Sequence, residues 1–149
     1  MFTKLENKHV EQIYNLQINN ADDFGNNIWS RLEINDLIKK KGFYSNIFLE
    51  QRRVEAFGLF FEAYNFLDLH SLFVSPMFRK RGIATAIVDS AVNHCKKKNL
   101  KKIVLEVNER NTKALNFYIS RSFIKTGRRN NYYQLGENYF DAILMEMKI

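Results

Sequence analysis

Glu106 stands inside Ile103-Val104-Leu105-Glu106-Val107, an acid in a run that otherwise reads as a buried strand. A carboxylate there loses hydration unless it finds a partner or faces a wet cleft, and desolvation makes a carboxylate a stronger base. The pattern leaves two readings open: a general base, or a structural acid that pairs with a nearby Arg or Lys or faces solvent at the strand's end. Tyr118, in Ala114-Leu115-Asn116-Phe117-Tyr118, carries a hydroxyl able to donate a proton or a hydrogen bond. Its alternative is a ring packed in the core with the hydroxyl at the rim. A third group lies upstream, where the apolar run Ser71-Leu72-Phe73-Val74-Ser75 stops at Pro76 and the chain turns through Arg79-Lys80-Arg81-Gly82-Ile83-Ala84-Thr85. Ala84, Ile87, Val88, Ala91 and Cys95 then follow the spacing of a helix with one buried face. A helix start near Gly82 presents unpaired N–H groups and a partial positive charge, Gly82 and Ala84 let a phosphate approach, and Arg79, Lys80 and Arg81 add charge. The competing reading is an ordinary strand-to-helix turn with a solvated basic face.

The elements that must hold these residues follow from periodicity and caps. Asn7 can cap a first helix running to about Asn19, and 19–27 reads as a polar loop able to shape a substrate entrance. Ser30 and Glu33 form a capping box for a second helix, closed by Lys39-Lys40-Lys41-Gly42. Three strands, about 44–49, 53–63 and 66–74, read as an antiparallel meander. After the helix from Gly82, 102–107 reads as a parallel neighbour covered on both faces. Asn111 or Thr112 caps a helix through Arg121, and strands at about 123–128 and 139–147 finish a mixed α/β domain. For Asn111, a cap is the plainer role and a ligand contact the other.

The 149 residues, 46% hydrophobic, suit one domain spanning 1–149. No signal peptide or membrane-length apolar run is present, so a soluble, cytoplasmic protein with no membrane partner is expected. His9, His70, His94 and Cys95 do not make a zinc spacing, so no metal is expected, and Cys95 reads as a buried, inert thiol. The net charge of +7 is uneven: residues 1–75 carry 8 Lys+Arg and 10 Asp+Glu, and 76–149 carry 15 and 6. That suits a polyanionic ligand, either nucleic acid or a nucleotide cofactor, while Lys96–Lys98 with Lys101 and Lys102 read as a solvated helix end.

Arg79, Gly82 and Ala84 fill the Gln/Arg-x-x-Gly-x-Gly/Ala pattern of the acetyl-CoA loop, and the chain resembles the GNAT superfamily of N-acetyltransferases. From about Leu69 to Ile149 it is similar to the ribosomal-protein alanine N-acetyltransferases. The blocks that carry this are Leu72–Pro76, Arg79–Ala84, Leu105-Glu106-Val107, Asn111 with Ala114 and Tyr118, Gly127–Tyr133 and Asp141–Met145. Trp29-Ser30 matches an amino-terminal segment; Ser122 stands where the family has glycine, and Ile28 where it has proline.

The resemblance implies a mixed, mostly antiparallel sheet of about seven strands, a parallel pair splayed at the acetyl-CoA site, and about four helices. It implies Glu106 as general base and Tyr118 as general acid. Cofactor contacts fall on Leu72, Phe73, Val74, on Arg79, Lys80, Arg81, Gly82, Ile83, Ala84, Thr85, and on Asn111 and Tyr118. The implied reaction moves the acetyl group of acetyl-CoA to the N-terminal amine, alanine foremost, of a protein substrate such as a ribosomal protein. The implied route is direct attack, with Arg128–Tyr133 on the substrate side. Acetylation of a small amine or a lysine, a silent acetyl-CoA-binding regulator, and a basic RNA-binding domain using Arg128-Arg129 and Tyr132-Tyr133 are the alternatives; no direct nucleic-acid contact is expected on the main reading. Oligomeric state is not legible.

Overall fold

The computed structural model describes residues 1–25 and 27–149, so Asn26 of the expected 19–27 loop lies outside the described residues. Strands β1 (Phe2–Thr3), β2 (Phe43–Glu50), β3 (Arg53–Ala63), β4 (Phe66–Val74), β5 (Lys102–Asn108), β6 (Ile124–Leu135) and β7 (Asn138–Lys148) form one 7-stranded sheet in the order β1-β2-β3-β4-β5-β7-β6. The helices are α1 (Val10–Asn19), α2 (Ala21–Phe24), α3 (Arg31–Lys39), α4 (Ile83–Lys98) and α5 (Thr112–Ser120). Every neighbouring pair of strands is antiparallel except β4 and β5, which α4 joins as a crossover. This is the mixed α/β sheet with a parallel pair that the sequence implies.

Helices α4 and α5 cover one face, where Ile87, Val88, Ala91, Leu115 and Tyr118 meet Leu67, Leu69, Ile103 and Leu105. Helices α1 and α3 cover part of the other, where Ile13, Ile34 and Leu37 meet Ile47, Phe57 and Phe73. Gly58 of β3 lets α4 come close: a Cβ there would sit 2.5 Å from Ile87 Cγ2.

Several expectations need correction. Residues 21–24 form the short helix α2, not loop; Asp22 and Asp23 lie in its first turn, and Phe24 stacks on Phe57 and tilts against Phe73. The amino-terminal helix opens with a 3-10 turn at Asn7–His9, whose start is Glu6, with Glu6 N donating to His9 Nδ1 at 3.1 Å. Strand β6 runs to Leu135, well past Arg128. Strand β5 is covered on one face only: Ile103, Leu105 and Val107 are buried while Val104 and Glu106 are half-buried. Ser30 behaves as expected, its Oγ accepting from Glu33 N at 3.1 Å.

Candidate active site

The site is made where the parallel seam opens. Strands β4 and β5 pair from Phe66↔Lys102 to Leu69↔Leu105 and no further. The cause is one extra residue: Leu59 faces Ser71 and Phe60 faces Leu69, so His70 is bulged out of β4. The bulge switches the strand's alternation. Leu67 and Leu69 pack towards α4 before it, Leu72 and Val74 after it, and Phe73 turns to the other core. Leu72–Val74 thus keep β3 as a neighbour on one side, and no strand pairs with their other edge, where Val74 O accepts from Arg79 Nε.

Glu106 is the first residue of β5 beyond the pairing. Leu105 and Val107 pack towards α4 and α5, so alternation directs Glu106 to the opposite face. Its side chain is 29% exposed, and its Oε1 lies 2.8 Å from Arg129 Nε. Both structural alternatives raised for it, an ion pair and partial exposure, are therefore present together. Tyr118, on α5, is buried in the core on the other face of the sheet, with its ring edge-on to Phe123. Burial pushes its hydroxyl well above the usual tyrosine range, with Tyr133 adding to the effect. On β6, burial, then the Glu106 charge, push the Tyr133 hydroxyl up to about 12. Arg121, at the end of α5, pairs with Asp89 of α4 and ties the tyrosine-bearing helix down.

Tyr133 and Arg129 are where sequence reasoning fell short. Both lie in the block Gly127–Tyr133, but nothing in periodicity aims them at Glu106. A wide bulge does so: Arg129 faces Ala142 and Tyr133 faces Phe140, so Asn130, Asn131 and Tyr132 stand opposite Asp141 alone. Asp141 holds this bulge, its Oδ1 accepting from Asn131 N at 2.9 Å and its Oδ2 from Arg128 Nη1 at 2.6 Å. Glu109 completes the clamp, accepting from Arg128 Nη1 at 2.9 Å and from Asp141 N at 3.0 Å. The Arg128 guanidinium and the Asn131 amide hold the Asp141 carboxyl below its ordinary range.

The cofactor loop has the shape a phosphate needs. Gly82 caps α4 with φ 77, a Cβ there would meet nothing within 4 Å, and Lys80 is also left-handed with φ 60. Alternating handedness turns successive amides towards one side, the backbone nest that holds anions. Ala86 N donates to Gly82 O, so the first-turn amides of Ile83, Ala84 and Thr85 lie ahead of the helix's own ladder. Arg81 lies over the Phe78 ring, and an open cleft of about 290 Å³ is bordered by Phe78, Arg81, Gly82 and Ile83. Arg79 is committed elsewhere: its Nε donates to Val74 O at 2.9 Å and its Nη2 to Asp23 Oδ2 at 3.0 Å, which locks α2 to the end of β4. Asn111 caps α5, accepting from Ala114 N at 3.1 Å. These residues fit acetyl-CoA, with amides and Lys80 and Arg81 for its phosphates and an open strand edge for its amide-bearing arm.

Residues 10–123 match the model of the Acetyltransferase (GNAT) family. The chain belongs to that family. A ribosomal protein bS18-alanine N-acetyltransferase of Salmonella typhimurium is 27% identical over 97 residues, 65% of this chain and 66% of the relative, just under two thirds of its length. The crystal structure of the ribosomal-protein-S18-alanine N-acetyltransferase from Escherichia coli superposes with a TM-score of 0.86 at 20% identity, covering 100% of this chain and 93% of that one. Arabidopsis thaliana NAA60 in complex with acetyl-CoA gives 0.84 at 16% identity, covering 100% and 98%. At such identities the superpositions speak for the fold.

Among this GNAT member's other residues, Cys95 is buried, and burial with the Glu62 charge pushes its thiol up to about 11, as suits an inert core residue. Ser122, in the family's glycine position, adopts φ 70, the left-handed turn glycine would take there, with Phe123 N donating to Tyr118 O at 3.0 Å. Trp29 is pinned by the buried Gln17, whose Oε1 accepts from Trp29 N at 2.8 Å and whose Nε2 donates to Trp29 O at 3.0 Å. Among the described residues no cluster of His, Cys, Asp and Glu could hold a metal ion, and no helix is long and apolar enough to cross a membrane.

Proposed function

We propose that this protein acetylates the N-terminal amine of a protein, alanine foremost, with acetyl-CoA as donor and a ribosomal protein as the substrate class. The observation that carries it is the seam: β4 and β5 part at Leu69/Leu105, and the next residue of β5 is Glu106. The α4 start and the open edge of β4 would hold the cofactor on the α4–α5 side, and Glu106 would face the amine from the other side of the sheet. The donor thioester supplies the acyl group. The open edge of Leu72–Val74 orients it and donates to developing oxygen charge, while the Gly82–Thr85 amides with Lys80 and Arg81 hold its phosphates.

Glu106 takes the proton of the attacking amine, directly or through water, once the incoming ammonium competes with Arg129 for it. Tyr118 acts on the leaving sulfur. A thiol near pKa 8.5 is a stronger acid than a tyrosine raised above 10, so Tyr118 works as a fixed hydrogen-bond donor that stays protonated and not as the final source of the proton. Tyr133 and Tyr132 line the acceptor side. An α-amine of pKa near 8 is about a fifth unprotonated at pH 7.4, whereas a lysine near 10.4 is free only at the level of about a thousandth. One partly exposed carboxylate suits the first far better.

The relatives' names, both citing a ribosomal protein S18-alanine substrate, support the acceptor class. Peptides differing only at the first residue, plus one with a blocked N-terminus and a free internal lysine, test it by mass after incubation with acetyl-CoA. Alanine should react fastest and bulky first residues poorly, because overpacking between these strands has no relief. Faster acetylation of the blocked lysine peptide overturns the acceptor and leaves the family.

A further inference from the structure

Folding gathers two groups of cations at opposite ends of the sheet. One is the start of α4, where phosphates of the cofactor account for it. The other gathers runs that read as separate solvated stretches along the chain: Lys39–Lys41 after α3, Lys96–Lys98 at the end of α4, Lys101 before β5 and Lys148 at the end of β7. Their convergence is fixed by the backbone. Glu62 N donates to Gly42 O at 2.8 Å, Lys101 N donates to Asn65 O at 2.7 Å, and Lys102 faces both Phe66 and Lys148. His94, just before the α4 lysines, lies 2.7 Å from Glu62 Oε1.

The acids on these strand ends are already used. Glu62 pairs with His94 and Glu146 with Lys102, while among the described residues Lys39–Lys41, Lys96–Lys98 and Lys148 form no ion pair. An open groove of about 690 Å³, bordered by Lys4, Ile38, Phe43, Tyr44 and the Glu6–Lys8 ion pair, runs beside the first run. At the β3–β4 turn Tyr64 is 99% exposed and left-handed at φ 49, holding its ring in water beside these cations. The 16 residues of α4 put about 24 Å between this end and Gly82, so cofactor phosphates cannot account for it.

We propose that this lysine end binds the phosphate backbone of single-stranded RNA, with Tyr64 stacking on a base. The chemistry favours a polyphosphate chain over a lipid surface, since membrane docking asks for an apolar face to insert and Tyr64 stands among lysines instead. The residues a sequence reading would choose for RNA are spoken for: Arg128 is held by Glu109 and Asp141, and Arg129 by Glu106. Docking here leaves the acetyl site free at the other end, and it would hold the enzyme on a ribonucleoprotein while a protein N-terminus enters the seam. That use rests on the acetyl-transfer reading; the binding does not.

The test is fluorescence anisotropy of a labelled single-stranded RNA of about 20 nucleotides against the full chain over a salt series, a length that exceeds the usual site sizes. Contact with about four phosphates should give a log–log salt slope near −3, and Lys96→Gln/Lys97→Gln/Lys98→Gln should flatten it by about 2. Tyr64→Ala should weaken binding by about fivefold or more at every salt. Acetylation of a free alanine peptide, measured on the same samples, should be equal in wild type and both variants, which separates failure of this proposal from failure of the acetyl-transfer reading. No binding at 50 mM salt, binding unchanged by the triple substitution, or tighter binding to vesicles containing phosphatidylserine than to RNA overturns it.

Discussion

Between Phe66 and Leu69, β4 lies in parallel register with Lys102–Leu105; between His70 and Val74 it pairs with β3 alone. The closed half buries Leu67, Leu69, Ile103 and Leu105 against α4. The open half carries the one acid of β5, beside the residues that end at the helix start. Both halves belong to the same two strands, so the stability of the first fixes the aperture of the second. A buried apolar register is rigid, and it delivers Glu106 and the β4 edge to fixed places without ordering any loop.

This contrast can be broken most severely at the open half. Glu106→Gln should leave acetyl-CoA binding and thermal stability near wild type and lower turnover by about 10² to 10⁴-fold at neutral pH, the scale of a lost general base. Steady-state rates across pH check it: the defect should shrink as pH rises and more amine arrives unprotonated, and wild-type turnover would return Glu106 to an ion-pair role with Arg129. Next, Tyr118→Phe keeps the ring against Phe123 and removes the hydroxyl, so a loss of about tenfold or more in kcat with little change in Tm is expected. Because burial holds that hydroxyl protonated, its pH–rate profile should match wild type up to pH 9; a wild-type breakpoint below pH 9 that disappears in the variant would show that Tyr118 had been titrating. The closed half gives the opposite signature. Leu67→Ala should cost about 2–5 kcal/mol of stability in denaturant unfolding while kcat below the melting range holds.

The elements were legible where local rules suffice. The Gly82 start, the Ser30 cap, the β3–β4 meander and the buried face of α4 each follow from spacing and cap chemistry within one stretch of chain. The site was legible residue by residue but not as a constellation. Glu106 was visible as an anomaly in an apolar strand; its partner Arg129 was not, because the contact depends on a three-residue bulge pinned by Asp141. Likewise Arg79 reads as a phosphate ligand in its loop pattern, and only the fold reveals Asp23 beside it. Helix α2 was hidden for a related reason: its one large apolar side chain is Phe24, and that ring finds Phe57 and Phe73 only after the sheet exists. The same limit held for the lysine runs, separate in sequence and adjacent in space.

The bulge at His70 makes the number of residues between Leu69 and Leu72 matter more than their kinds. His70 itself is exposed, near Asp68, edge-on to Phe61 and tilted against Trp29, and its replacement would disturb only these local contacts. Deleting it would restore unbroken alternation with Leu72 and Val74 still facing α4, and offer β4 a continuous register along Glu106 and Val107. The strand would then close over its own aperture. A lineage can therefore drift in identity at this position, yet it cannot drift in length without surrendering the gap.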